Sequence, residues 1–173
     1  MRRNIYILAV LIGLMSCSDN FLDKRSLTQI AESNFWQTAA DAQLGVNGVY
    51  EVLQRRNLYS GQLNGKAGLP VYDNFTDNSF NPWKWEGPGK YVEGALDPSE
   101  QLFENFWGDN YAGIARANRA IASISDMTEE QIAQPAKDDL LGQAFFLRAL
   151  FYFNLAVFFE DVPLITSPQS IEE

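Results

Sequence analysis

A stretch of aromatic and polar residues between positions 72 and 91 holds the side chains best suited to binding chemistry. Flat aromatic rings pack against the C–H faces of sugar rings, while amide and carboxylate groups hydrogen-bond to sugar hydroxyls. The candidates are Trp83, Trp85, Tyr72, Asp73, Asn81 and Tyr91. The composition predicts a ring-lined binding surface, with Trp83 or Trp85 as the strongest contact candidates. It favours equally the alternative that both tryptophans fill a core beneath a loop.

Catalytic chemistry finds little support in the sequence. Histidine is absent and Cys17 is the one cysteine, which excludes a Ser-His-Asp triad, a Cys-His pair, a histidine metal site and an internal disulfide. Asp73 and Asp77 could act as an acid and a base, but a loop setting leaves the distance between the two carboxylates undefined. A carboxylate site for a hard cation has no recognisable signature. We therefore predict a protein that is not an enzyme and needs no cofactor.

Composition and charge narrow the class of protein further. The chain has 173 residues, of which 46% are apolar and 20% charged, as expected for one globular domain with a real core. Its formal net charge is −9. Such a surface repels phosphate backbones, so no nucleic-acid partner is predicted.

The N-terminus has the pattern of an exported, lipid-anchored protein. Arg2 and Arg3 precede the apolar run from Ile5 to Met15, which is too short to span a bilayer. The following "LMSC" resembles a lipobox, in which Cys17 receives fatty acyl chains such as palmitate and becomes the first residue. We predict a lipoprotein signal peptide over residues 1–16 and a lipidated tether over residues 17–37. A plain secretory peptide is the alternative.

The rest of the chain predicts an all-α fold. Thr38 is a good N-cap for a helix whose apolar positions are Ala42, Val46, Val49, Tyr50 and Leu53. Residues 57–98 are rich in glycine and proline turn signals and predict a long, loop-rich insertion. A second helix follows Asp97 or Ser99, and a third runs from about Ala136 to Phe159. The predicted architecture is therefore paired helices with an insertion between the first two.

The third predicted helix is apolar on nearly all sides. Arg148 near its middle argues against a membrane span, because such a charge costs at least about 2.5 kcal/mol in a bilayer. Burial between other helices explains the composition better, with Arg148 paired to a carboxylate or to backbone carbonyls. Three helices cover such a helix poorly, so we expect the chain to be the N-terminal part of a larger protein.

Four blocks, in order along the chain, resemble the SusD/RagB family. The blocks are "CSDNFLD", "SNFWQTAADAQLGVNGVY", "YAGIARANRAIASI" and "GQAFFLRALFYFNLAVFFEDVPLIT". The resemblance implies tetratricopeptide-like helix pairs, with residues 38–173 forming the N-terminal part of a SusD-like helical domain. Ser18 and Asp19 also resemble a surface-export signal, which implies an anchor on the outer face of the outer membrane. Glu160 departs from the family pattern, which usually has glycine there.

What the resemblance implies about function is the capture of nutrients without catalysis. Members of the family are outer-membrane lipoproteins that bind oligosaccharides, or in some cases peptides, above a TonB-dependent transporter of the SusC type. The leading hypothesis is a surface lipoprotein that captures oligosaccharides and delivers them to that transporter. The alternatives are peptide binding and a purely structural lipoprotein that docks on the transporter complex.

Overall fold

Three helices form the described part of the protein. A computed structural model describes residues 35–59, 76–78, 97, 99 and 101–169. The helices are α1 (Ala39–Leu53), α2 (Gln101–Asp126) and α3 (Gln134–Phe159). No β-strand occurs among these residues, and the fold is all-α as predicted. The tetratricopeptide-like detail stays a prediction.

The first helix begins where the sequence indicated. The Thr38 backbone N–H donates to the Asp41 carboxylate at 2.9 Å, and the Asp41 N–H donates back to the Thr38 hydroxyl at 3.3 Å, which forms a capping box. The Thr38 hydroxyl also donates to the Asp41 carboxylate, and this bond is the main reason that the pKa of Asp41 lies below its usual value. Two otherwise unsatisfied N–H groups are thereby paired at the start of α1.

The buried face of α1 differs in part from the predicted one. Its buried residues are Ala42, Val46, Val49 and Val52, and Leu53 is half-buried. Tyr50 is 38% exposed, so its predicted place in the core is wrong. Tyr50 and Val52 lie on opposite edges of the apolar stripe, and the packing of α1 buries the Val52 edge.

Helices α2 and α3 form an antiparallel hairpin. Asn110 of α2 contacts Asn154 of α3, and Asn118 contacts Arg148, so positions advance along one helix as they recede along the other. Lys137 closes the turn by donating from Nζ to the carbonyls of Ser125 at 2.8 Å and Met127 at 2.7 Å. These carbonyls lie at the C-terminal end of α2, where helical partners are missing.

The start of α3 lies two residues before the predicted one. The helix begins at Gln134, so Pro135 falls in its first turn, where the absent N–H needs no partner. In the turn before α3, the Thr128 N–H donates to Gln131 Oε1 at 2.9 Å.

A single core joins the three helices. Its largest fully buried side chains include Phe106, Phe151, Leu58, Ile114 and Leu147. Trp107 is half-buried at the edge of this core, with its ring 5.0 Å from Phe159 between centroids. Gly113 lets α2 approach α3 closely, because a Cβ at this position would stand 2.5 Å from the Phe151 ring.

The chain after α3 lies back along the hairpin. We call residues 161–169 the strap. The Tyr152 hydroxyl bonds to both backbone polar groups of Ile165. It accepts from the Ile165 N–H at 2.6 Å and donates to the Ile165 carbonyl at 2.9 Å. The Tyr111 hydroxyl donates to the Pro163 carbonyl at 2.8 Å. The strap is thus held by side chains of both hairpin helices.

Glu160, between α3 and the strap, has the backbone conformation of a glycine. Its φ is 59° and its ψ is −97°, and it is the one non-glycine residue with positive φ in the described part of the chain. A Cβ in such a conformation clashes with the following peptide, at a cost of about 1–2 kcal/mol. The sequence departure at Glu160 therefore coincides with backbone strain.

Glu160→Gly is expected to raise the free energy of unfolding by about 1 kcal/mol, because relief of the strain outweighs the added freedom of the unfolded chain. Urea unfolding followed by circular dichroism measures the change. Glu160→Ala keeps the Cβ and should give no gain. Equal stabilisation by both variants would show that the carboxylate, and not the backbone, is the source of the cost.

Candidate functional site

The six predicted ligand-binding residues and the lipidation site lie outside the described residues. This applies to Trp83, Trp85, Tyr72, Asp73, Asn81 and Tyr91, and to Cys17. Asp77 is described and is exposed in a turn. What the structure does show is the point from which the chain enters the insertion that carries those residues.

A buried pair of amide side chains holds Tyr59, the last described residue of the segment that follows α1. Asn154 of α3 donates from Nδ2 to Asn110 Oδ1 at 3.1 Å, and Asn110 donates to the Phe106 carbonyl at 2.7 Å. The Tyr59 hydroxyl extends this series of hydrogen bonds by donating to Asn154 Oδ1 at 3.0 Å. Both amides are buried, so each needs its partners to avoid a desolvation penalty.

A second group of contacts holds the residues just after α1. Arg55 donates from its guanidinium to Asp109 Oδ1 at 2.9 Å, and Asn57 donates from Nδ2 to Asp109 Oδ2 at 2.6 Å. Asp109 is 16% exposed and uses both oxygens, which fixes its orientation. Charge-assisted bonds of this kind are stronger than neutral ones.

These two groups together form what we call the base cluster. Its members are Arg55, Asn57, Tyr59, Asp109, Asn110 and Asn154. The cluster ties the chain that leads into the insertion to both hairpin helices. Its contacts are structural, and they hold rigidly the chain that leads into residues 60–100.

Sequence reasoning did not find the base cluster. Asn110 stands four residues after Phe106 and four before Ile114, so it occupies a core position of α2. A polar residue in the middle of an apolar helical stripe is the signal that could have identified it. The partners Tyr59 and Asn154 are 95 positions apart, and no local pattern connects them.

A shallow cleft of about 200 Å³ lies between α2 and the strap. Tyr111, Ile114, Asn118, Ile165 and Pro168 are among its lining residues. Burial, and then the neighbouring Tyr152, raise the pKa of the Tyr111 hydroxyl above its ordinary value. The hydroxyl of Tyr111 and the amide of Asn118 already bond to strap carbonyls. The cleft therefore offers mainly apolar surface, and these two polar groups serve the fold.

Within the described ranges no group of three or more metal-ligating side chains converges. One described helix, α3, is long and apolar enough to cross a bilayer, with a mean hydropathy of 1.5 in its most apolar window. Arg148 of that helix donates to Asn118 Oδ1 at 2.8 Å and to the Thr166 carbonyl at 3.0 Å. The predicted pairing of Arg148 with a backbone carbonyl is confirmed, and α3 packs on α2 as a core helix does.

Comparison with known proteins defines the class. A family model described as SusD-like, "Starch-binding associating with outer membrane", matches residues 20–172. The chain therefore belongs to the SusD-like family, as the four sequence blocks indicated. The description names binding and no reaction, in agreement with the prediction of a protein that is not an enzyme.

Three relatives from Formosa agariphila support the assignment. SusD-like protein P25 is 28% identical over 99% of this chain, SusD-like protein P38 is 25% identical over 95%, and SusD-like protein P2 is 26% identical over 93%. The aligned part is 33%, 30% and 30% of their respective lengths, so the chain spans about a third of these relatives. No solved structure gives a significant match.

Proposed function

We propose that the chain belongs to a cell-surface lipoprotein that captures oligosaccharides and delivers them to a TonB-dependent transporter of the SusC type. The observation that carries this proposal is the family match over residues 20–172, whose description names starch and the outer membrane. The base cluster supports it, because a loop that starts from rigidly held residues loses less conformational entropy when its side chains bind a ligand. The aromatic composition of the insertion supplies the sugar-stacking surface.

The glycan part of the proposal is tested by calorimetric titration of the full-length native polypeptide with starch-derived oligosaccharides. Trp83→Ala or Trp85→Ala is expected to weaken binding at least about tenfold, which corresponds to about 1.4 kcal/mol for one lost ring contact. Tyr50→Ala removes an exposed aromatic ring of α1 that is not among the six candidate residues, and should leave the affinity unchanged.

The two alternatives predict other results in the same titration. A peptide-binding protein would bind short peptides and ignore the oligosaccharides. A purely structural lipoprotein would bind neither, yet would still purify with the transporter. Unchanged oligosaccharide affinity in both tryptophan variants would place the binding surface elsewhere than the two rings.

Anchoring through Cys17 is a separate part of the proposal. Cys17→Ser is expected to shift the protein from the membrane fraction to the soluble fraction, because the serine hydroxyl does not take the thioether-linked lipid that membrane anchoring needs. Cell fractionation and mass spectrometry of the N-terminal peptide measure this. Asp19→Ala is the matched control, since it should stay in the membrane fraction and lose only its accessibility to added protease. Retention of Cys17→Ser in the membrane would contradict the anchor.

A further inference from the structure

Tyr59 is an exposed aromatic residue at the start of the insertion. It is 41% exposed, while Leu58 beside it is fully buried. It directly precedes residues 60–100, the stretch that contains Trp83, Trp85 and the other candidates for sugar contact. Tyr59 is not one of those six candidates, although its ring is next to them in sequence.

Both the backbone and the side chain of Tyr59 are held in place. The Tyr59 N–H donates to the Leu53 carbonyl at 3.2 Å, which fixes the backbone after α1. The Tyr59 hydroxyl donates to Asn154 Oδ1 at 3.0 Å. Because the side chain is held at both ends, its ring keeps one orientation. The hydroxyl is already bonded, so the ring is the part of the side chain that a ligand can use.

The acceptor that holds the Tyr59 hydroxyl lies in the core. Asn154 is 4% exposed and belongs to the buried residues of α3, with Phe151 and Leu155. Its Nδ2 donates to Asn110, which is fully buried. Apolar side chains at these two positions would fill the core and leave no polar group to satisfy. The amide pair is therefore best explained by the group that it orients, which is the Tyr59 ring.

Tyr50 shows the difference that this support makes. It is 38% exposed on α1, which is close to the value for Tyr59. Within the described part of the chain, the Tyr50 hydroxyl has no hydrogen-bond partner. A free side chain loses rotamer entropy when a ligand packs on it, whereas the Tyr59 ring is ordered before any ligand arrives. Of these two similarly exposed rings, Tyr59 is the one prepared for binding.

A fixed and uncharged ring selects a flat, apolar ligand face. The C–H face of a pyranose ring has this shape, and stacking leaves the sugar hydroxyls free to bond elsewhere. A tyrosine ring and a pyranose ring are similar in size, so one such residue supplies contact for one sugar.

We propose that the ring of Tyr59 is a sugar-stacking subsite at the start of the insertion, where it packs against one pyranose ring of a bound oligosaccharide. This inference rests on the proposed function and adds to it a contact residue outside residues 72–91. Asn154 is a positioning residue of the subsite, because it orients the ring and does not touch the sugar.

Two variants of Tyr59 separate stacking from structural support, in calorimetric titrations of the full-length native polypeptide with the starch-derived oligosaccharide maltoheptaose. Tyr59→Phe and Tyr59→Leu both remove the donor to Asn154 Oδ1, so they share the same structural loss. Only Tyr59→Leu also removes the flat ring. Tyr59→Phe is expected to bind within about twofold of the unaltered protein, and Tyr59→Leu at least about fivefold more weakly.

Tyr50→Leu is the matched control, since it removes a similarly exposed ring and should leave the affinity unchanged. Urea unfolding of the two Tyr59 variants should show similar losses of stability, so that the difference in affinity reports on the ring alone.

The outcomes distinguish this inference from the proposed function on which it rests. Equal weakening by Tyr59→Phe and Tyr59→Leu would overturn the subsite, because it would show that Tyr59 only supports the loop. Full affinity in Tyr59→Leu would overturn it as well, while the proposed function would stand. Absence of maltoheptaose binding by the unaltered protein would refute the capture of starch-derived oligosaccharides, and the subsite with it.

Discussion

Gly113→Ala is expected to lower the free energy of unfolding by about 2 kcal/mol, although it adds a single methyl group. The new Cβ would stand 2.5 Å from two carbons of the Phe151 ring, which is far inside van der Waals contact. Phe151 is fully buried, so its ring has no free space into which it can move. Overpacking of this kind costs about 3 kcal/mol at the upper end, and the better helix propensity of alanine offsets about 1 kcal/mol of it.

Gly108→Ala provides the control within the same helix. A Cβ at Gly108 would meet nothing within 4 Å, so this variant should gain stability, by up to about 1 kcal/mol. Urea unfolding of both variants separates the two effects. Phe151→Leu in the Gly113→Ala background should recover part of the loss, because the smaller side chain vacates the space that the methyl group needs. A common shift in both glycine variants would refute the close approach of α2 and α3.

Asn118→Leu is expected to lower the free energy of unfolding by about 3 kcal/mol, because it leaves several polar groups without partners. Asn118 is 1% exposed. Its Oδ1 accepts from Arg148 at 2.8 Å, and its Nδ2 donates to the carbonyls of Ile165 at 3.0 Å and Ser167 at 3.3 Å. One amide thus joins α2, α3 and the strap, and leucine of similar volume replaces none of these bonds.

Hydrogen exchange at the Ile165 amide reports on the strap in the same experiment. Asn118→Leu should accelerate this exchange, since the strap loses two of its side-chain contacts. Asn118→Asp keeps an acceptor for Arg148 but loses the donor, so it should preserve the hairpin better while still releasing the strap. Ser125→Ala removes an exposed hydroxyl of α2 and should leave both measurements unchanged. Normal protection of Ile165 in the leucine variant would contradict this role for Asn118.

The parts of the fold that depend on local chemistry could be predicted from the sequence. Thr38 and Asp41 are three residues apart, so the start of α1 follows from their types and spacing. The burial of Val52 rather than Tyr50 could not be predicted, because both lie at the edge of the apolar stripe and the neighbouring helices decide between them. The start of α3 was placed too late because Pro135 suits either the end of a turn or the first turn of a helix.

The supporting contacts depend on residues distant in sequence, and here prediction failed. The strap residues Pro163, Ile165 and Thr166 are held through their backbone carbonyls, and no side-chain pattern encodes that. The base cluster joins residues 44 to 95 positions apart. For the insertion itself, the roles of Trp83 and Trp85 remain a prediction from composition.

All six side chains of the base cluster belong to residues outside 60–100. The scaffold therefore secures the first residues of the insertion with bonds that do not depend on the sequence of residues 60–100. Replacement of residues 60–100 would leave these bonds, and the stability that they give to the helices, unchanged. A graft of a relative's loop between Tyr59 and Gln101 is a laboratory form of that exchange.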